Sequence, residues 1–127
     1  MPHRLRTSVL DSTLAEAIAR ELQANASLES FRRISSMELA GIIDRLVQTY
    51  TRWTAGDRGQ VAEYSHYFAN LCFRLSIPMV EAAYALFFIR DGLLAALYSE
   101  NERGCSERRL RVTEFLNVVI LDLLGRC

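Results

Sequence analysis

Between residue 3 and the C-terminus there is one proline, Pro78; the chain's other proline is Pro2. Around that single break the apolar residues recur at spacings of three and four, and no stretch keeps a period of two for long. Proline is the strongest interruption a helix meets, and the period of apolar positions separates helix from strand. The 127 residues are therefore predicted to form one all-α domain, a bundle of five to six helices. Half of the residues are apolar and 24% are charged, which suits a packed core rather than a disordered chain. A chain of this length supports one core of ordinary size.

The first helix is expected over Ser8–Asn25, with Leu10, Leu14, Ala17, Ile18 and Leu22 on one face and residues 1–7 as a flexible start. A short helical turn follows over Leu28–Ile34. The next helix runs over Ser36–Ala55, capped by Ser36, with Glu38 in its first turn. Its apolar set is Leu39, Ile42, Ile43, Leu46, Tyr50 and Trp53, and Gly56 suits the left-handed position after its end. Asp57 is the expected cap of a helix over Asp57–Leu75, whose stripe is Val61, Tyr64, Phe68, Leu71, Cys72 and Leu75. Ser76-Ile77-Pro78 opens a helix reaching Ser99, with Pro78 in the first turn, where a missing N–H costs nothing. From Val80 to Tyr98 this helix is apolar nearly all round and is predicted to be covered on more than one side. Asn101–Cys105 reads as a polar turn, and Ser106 caps the last helix, Glu107–Leu124. Phe115, Leu116, Val119, Ile120 and Leu123 lie on that helix's apolar half. They are the candidate homodimer interface, because two such apolar helices show more surface than one small bundle hides.

The charge balance narrows the function classes. Fifteen basic residues, all Arg, offset fifteen acidic ones. Zero net charge argues against nucleic acid and against polybasic membrane attachment. Without Lys there is neither a Schiff base nor a phosphate-binding P-loop lysine. GxSxG, SxxK, GxGxxG and Walker patterns are absent, so no enzyme class is indicated. Arg90 and Asp91 interrupt the long apolar stretch and make a membrane span expensive, so no membrane insertion is expected. Cys72, Cys105 and Cys127 form no CxxC pair, and reduced thiols fit a cytoplasmic chain. The pairs Arg32-Arg33 and Arg108-Arg109 flank turns and read as solvated faces or as docking points for an acidic partner.

A few residues carry chemistry worth placing. Glu63 and His66 stand one helical turn apart, the spacing di-iron bundles use twice over; here it occurs once, and no metal site is predicted. His66 is also the one candidate haem ligand, in the manner of a globin's proximal His, although it points away from its helix's main stripe. Trp53, Phe68, Tyr84 and Phe88 can line a small-molecule pocket or be plain core. Glu21 and Asp91 fall among apolar neighbours and are candidate buried carboxylates. They would be held by an Arg or a Tyr hydroxyl, or form a polar element at a dimer seam or ligand pocket.

Two stretches carry a resemblance: SMELAGIIDRLVQTYTRW, and AGDRGQVAEYSHYFANLCFRLSIPMVEAAYALFFIRDGLLAAL. Their rhythm of apolar positions, the Gly56-Asp57 turn, the Ser76-Ile77-Pro78 junction and Arg90 within the long apolar helix resemble the N-terminal sensor domain of RsbR/RsbRD-type stress-signalling proteins. Related domains also precede histidine kinases. The chain departs from that pattern at Ser76-Ile77, where Gly is frequent, and in carrying no STAS or kinase module. The resemblance implies a globin-like, haem-free homodimer acting as a non-catalytic input module that passes a signal by helix packing to an output domain or kinase partner. A haem- or small-ligand-binding globin-like sensor is the alternative.

Overall fold

The computed structural model describes residues 12–98 and 105–126, and every regular element among them is helical. They are α1 (Ser12–Ala24), a 3-10 helix (Ala26–Arg33), α2 (Ser36–Thr54), α3 (Gly59–Arg74), α4 (Met79–Tyr98) and α5 (Cys105–Leu124). The expected flexible start, residues 8–11 of the first helix, and most of the polar turn before the last helix lie outside the described residues.

The helix ends are set by local hydrogen bonding, and several sit a residue or two from their expected places. The cap of α2 is Ser35, not Ser36: its hydroxyl accepts from the Glu38 N–H at 3.1 Å. A cap satisfies the N–H three residues ahead, and Glu38 lies three after Ser35. Asp57 does not cap α3. The chain spends Gly56 and Asp57 closing α2, and α3 starts at Gly59 behind Arg58, with no side-chain cap bond. Pro78 stands before α4 rather than in its first turn, and its carbonyl accepts the Ala82 N–H at 2.9 Å. Cys105 already belongs to α5, so Ser106 lies within the first turn.

Two helices end in the same way. After α2, the Gly56 N–H donates to the Trp53 carbonyl at 3.1 Å and the Asp57 N–H to the Arg52 carbonyl at 2.9 Å. Gly56 has φ +105°, in the left-handed region that this paired closure requires. After α3, the Ser76 N–H donates to Phe73 at 3.2 Å and the Ile77 N–H to Cys72 at 2.8 Å. Here the left-handed residue is Ser76, with φ +57°, and buried Ile77 and Cys72 complete the apolar side of the motif.

The five α-helices close on one another: α1 packs on α2, α2 on α3, α3 on α5, α5 on α4, and α4 back on α1. Inside the ring lies one core that includes Ile18, Leu22, Ile43, Leu46, Tyr64, Phe68, Leu86, Ile89, Phe115 and Val119. The 3-10 helix packs on α1 and α4 and buries Leu28 and Phe31. It is tied to the neighbouring elements at its middle and at its C-terminal end. The Glu81 carboxylate, in the first turn of α4, accepts from the Ser30 N–H and hydroxyl, each at 2.8 Å. Arg33 donates to the Leu75 carbonyl at the C-terminus of α3 at 2.7 Å, where a cation complements the helix dipole. On the far side, Arg126 donates to the Ala62 carbonyl at 3.1 Å and pairs with Asp122 at 3.2 Å, fastening the end of α5 to α3.

Where α4 crosses α1, Gly92 sits against Ile18; a Cβ on Gly92 would stand 3.0 Å from two of the Ile18 side-chain carbons. The absence of a side chain lets the two helices approach closely. No helix among the described residues is long and apolar enough to cross a membrane.

Candidate functional site

The closed ring gives each helix an inward and an outward face, and the outward faces differ. On α1 the exposed residues include Glu16, Arg20 and Glu21; on α2, Glu38, Arg45, Gln48 and Arg52, with the apolar Met37 exposed in its first turn. On α3 they include Glu63, His66, Asn70 and Arg74, with Phe73 the apolar exception at its end. The outward face of α4 is apolar: Val80 is 83% exposed, Tyr84 51% and Phe87 38%. Its neighbour α5 exposes Leu110, Val118, Leu121 and Leu124 among Glu107, Arg111, Glu114 and Asn117. Two adjacent helices thus present apolar side chains to the outside while the other three are mostly polar there. Clustered exposed apolar groups of this kind mark interaction surfaces.

The Val80, Tyr84 and Phe87 row has a polar end. Asp91 follows Phe87 by four residues, and its side chain is 70% exposed. Arg90 bends over this face: its guanidinium lies 5.0 Å from the Phe87 ring centre, and one terminal nitrogen is 3.5 Å from Asp91. The Arg90 Nε is buried and has no hydrogen-bond acceptor among the described residues.

The residues singled out from the sequence fall differently from expectation. Phe115, Leu116, Val119, Ile120 and Leu123 are fully shielded within the chain itself. They pack between α3 and α4, with Phe115 reaching Tyr50 and Trp53 of α2, so they are core and not a dimer interface. Glu21 and Asp91 are both exposed. On α1 the buried row is Ala15, Ile18, Ala19 and Leu22, turned away from Glu21 because alanines, not leucines, supply its second edge. On α4 the buried row is Ala82, Ala85, Leu86, Ile89 and Leu93, opposite Asp91.

Trp53, Phe68, Tyr84 and Phe88 do not converge on one pocket. Trp53 packs 5.6 Å from Phe115, with Arg58 stacked over its outer side at 4.4 Å. Phe68 lies in a stack with Phe31 at 6.5 Å and Tyr64 at 6.1 Å. Phe88 is half-buried against the core, and Tyr84 faces outward. His66 also faces outward, its Nε2 3.1 Å from the Asn70 amide nitrogen. A haem held by His66 would lie outside the core, and no three metal-ligating side chains gather among the described residues.

Two open grooves flank α2. One, of about 370 Å³, is lined by Glu16, Arg20, Met37 and Asp44 among others. The other, of about 430 Å³, is lined by Asp44, Arg45, Gln48, Arg52, Gln60 and Glu63. Their charges are mixed in sign and favour no ligand class.

The buried titratable groups are structural. Burial drives the Tyr64 phenol well above its ordinary 10.0, and its hydroxyl donates to the Ile42 carbonyl at 3.0 Å. Burial, reinforced by the nearby Glu81 charge, pushes the Cys72 thiol up to about 12. A thiol held neutral in this way is neither nucleophile nor ligand. Tyr50 is raised by burial, with Arg111 and Arg108 pulling the other way.

No protein-family model matches this chain, and no curated protein or solved structure matches it either.

The outward face of α4 is the feature that reading the sequence left open, between a central helix and an interface helix. Its signal was present in the spacing of Val80, Tyr84, Phe87 and Asp91. On a helix that is apolar nearly all round, that spacing does not say which side the core will claim.

Proposed function

We propose that this chain is a non-catalytic, globin-like input and dimerisation module of a bacterial signalling protein, related to the RsbR/RsbRD-type sensor domains. It works as a homodimer without haem, and it passes its signal to an output domain or kinase partner through a shift in helix packing. The observation that carries the reading is the row of apolar side chains on the outer sides of α4 and α5, among them Val80, Tyr84, Leu110 and Leu121, where α1, α2 and α3 are mostly polar outside apart from Met37 and Phe73. An apolar outer surface on a small bundle is stabilised by contact with another protein surface. The buried polar groups support the same reading, since they are spent on packing: Tyr64 on the α2 backbone and Ser30 on Glu81. The haem-sensor alternative finds no support in the outward-facing His66.

Native mass spectrometry of the purified chain, with its absorbance spectrum, tests this. A dimer mass with no retained porphyrin is expected. A Soret band, or a monomer at every concentration, would overturn it.

A further inference from the structure

We infer that the 3-10 helix is a releasable clasp over the corner between α3 and α4. It opens as a unit ahead of the rest of the fold, with Glu81 as its latch, and its opening loosens the first turn of α4. As a route for a signal this rests on the input-module reading above and adds to it the element whose packing shifts; the opening itself is a property of the chain whatever its oligomeric state. The segment suits the role. Runs of 3-10 structure longer than three or four residues are uncommon, because their hydrogen-bond geometry is poor. This one spans eight residues, Ala26–Arg33, and is broken inside by Leu28 at φ −122°, ψ 44°. Only Leu28 and Phe31 of it are buried, while Ser27, Glu29, Arg32 and Arg33 are exposed.

The groups that hold the clasp down stand on both sides of the corner. On the α3 side, Phe31 stacks on Phe68, and Arg33 donates to the Leu75 carbonyl and back to the Ser30 carbonyl at 3.4 Å. On the α4 side, Glu81 takes both the N–H and the hydroxyl of Ser30, a residue 51 positions earlier in the chain. Between these two anchorages the backbone turns through Ser76 at φ +57° and through Pro78, which has no N–H to give. The corner is therefore braced from outside by the clasp, and breaking the Ser30–Glu81 contact releases both together. Glu81 loses its two donors where α4 begins, one residue from the exposed Val80 that starts the outward apolar row. Glu81 is half-buried, so water replaces Ser30 when the clasp lifts; local opening draws on weakly buried segments of this kind.

Native-state hydrogen exchange of the full chain, followed by NMR over low urea concentrations, tests this. The Leu28, Ser30 and Ile34 amides of the clasp and the Ile77 and Ala82 amides of the corner are expected to share one opening. Their protection and its urea dependence should be smaller than those of the slowest amides of α5. Ser30→Ala, which removes only the hydroxyl, is expected to speed exchange of all five by about tenfold, since bonds to a carboxylate are the stronger kind. Ser30→Asp sets a second carboxylate against Glu81 and should speed it further, the excess vanishing when Glu81→Gln is added. Ile120→Val, in the core of α5, is expected to speed the slowest amides and leave those five unchanged. Clasp amides that share the protection and urea dependence of α5 overturn the separate opening. Clasp amides that respond to Ser30→Ala while Ile77 and Ala82 do not overturn the coupling to α4. Either result leaves the input-module reading standing, which the subunit mass and the absorbance spectrum decide.

Discussion

Ser76 offers the sharpest test of how the α3–α4 junction is held. Its φ of +57° puts a side-chain-bearing residue in the left-handed region, at the position where a paired helix closure favours glycine. The hydrogen bonds around it show that the conformation is imposed: Ser76 N–H to Phe73 at 3.2 Å, Ile77 N–H to Cys72 at 2.8 Å, and Ile77 buried beneath. A left-handed conformation costs an L-residue about 1–2 kcal/mol, and a glycine returns roughly 0.5–1 kcal/mol of that as extra freedom in the unfolded chain. Ser76→Gly should therefore stabilise the fold by about 0.5–1 kcal/mol. For a chain of this size that is a rise in Tm of roughly 2–4 °C by calorimetry, with an unchanged urea m-value. Ser76→Ala, which keeps the Cβ, should give no such rise. The mirror experiment is Gly56→Ala at φ +105°, where an added Cβ meets nothing within 4 Å, so any loss is conformational; by the same two terms about 0.5–1 kcal/mol of destabilisation is expected. If Ser76→Gly lowers or leaves unchanged the Tm while the spectrum stays native, the argument from backbone strain is wrong.

Four further outcomes follow from the core. Tyr64→Phe removes the buried bond to the Ile42 carbonyl and should cost about 1 kcal/mol in urea denaturation, with the helical content intact. Phe115→Ala should cost about 3–5 kcal/mol, because Phe115 is core; a variant that only loses dimerisation at full stability would refute that placement. Burial raises the Cys72 thiol to about 12 from an ordinary 9.0, so the folded state favours the neutral form. That stabilisation is fully present below pH 9 and is lost as pH rises from about 9 towards about 12, so denaturation midpoints should fall across that window and fall less in Cys72→Ala. Mass-spectrometric mapping after thiol labelling at pH 8 should find Cys72 unmodified in the native protein and modified in urea.

The secondary structure was legible because it depends on interactions a few residues apart. One proline, a three-and-four apolar spacing and a glycine after α2 are enough to place the helices to within a few residues. The ends were less legible, since a cap belongs to whichever residue the three-dimensional turn leaves in range: Ser35 instead of Ser36, and no cap at all from Asp57. Faces were legible where polarity divides a helix, as on α2, whose expected stripe Leu39, Ile42, Ile43 and Leu46 is buried. They were misread where it does not. On α1, alanines rather than leucines complete the buried row, and Glu21 turns out to be exposed.

On α4, apolar almost all round, either side could have met the core, and the local sequence carries no energy difference large enough to choose. The choice was made by packing: Gly92 admits Ile18 at close range, Ala82 and Ala85 are small enough to lie against neighbouring helices, and the bulkier Val80, Tyr84 and Phe87 are left outside. Amino-acid order alone thus determined that the chain is helical and where its helices run. Tertiary packing decided which apolar face became interior and which was left for another surface, because hydrophobic burial is non-directional and only steric fit between neighbours gives it a direction.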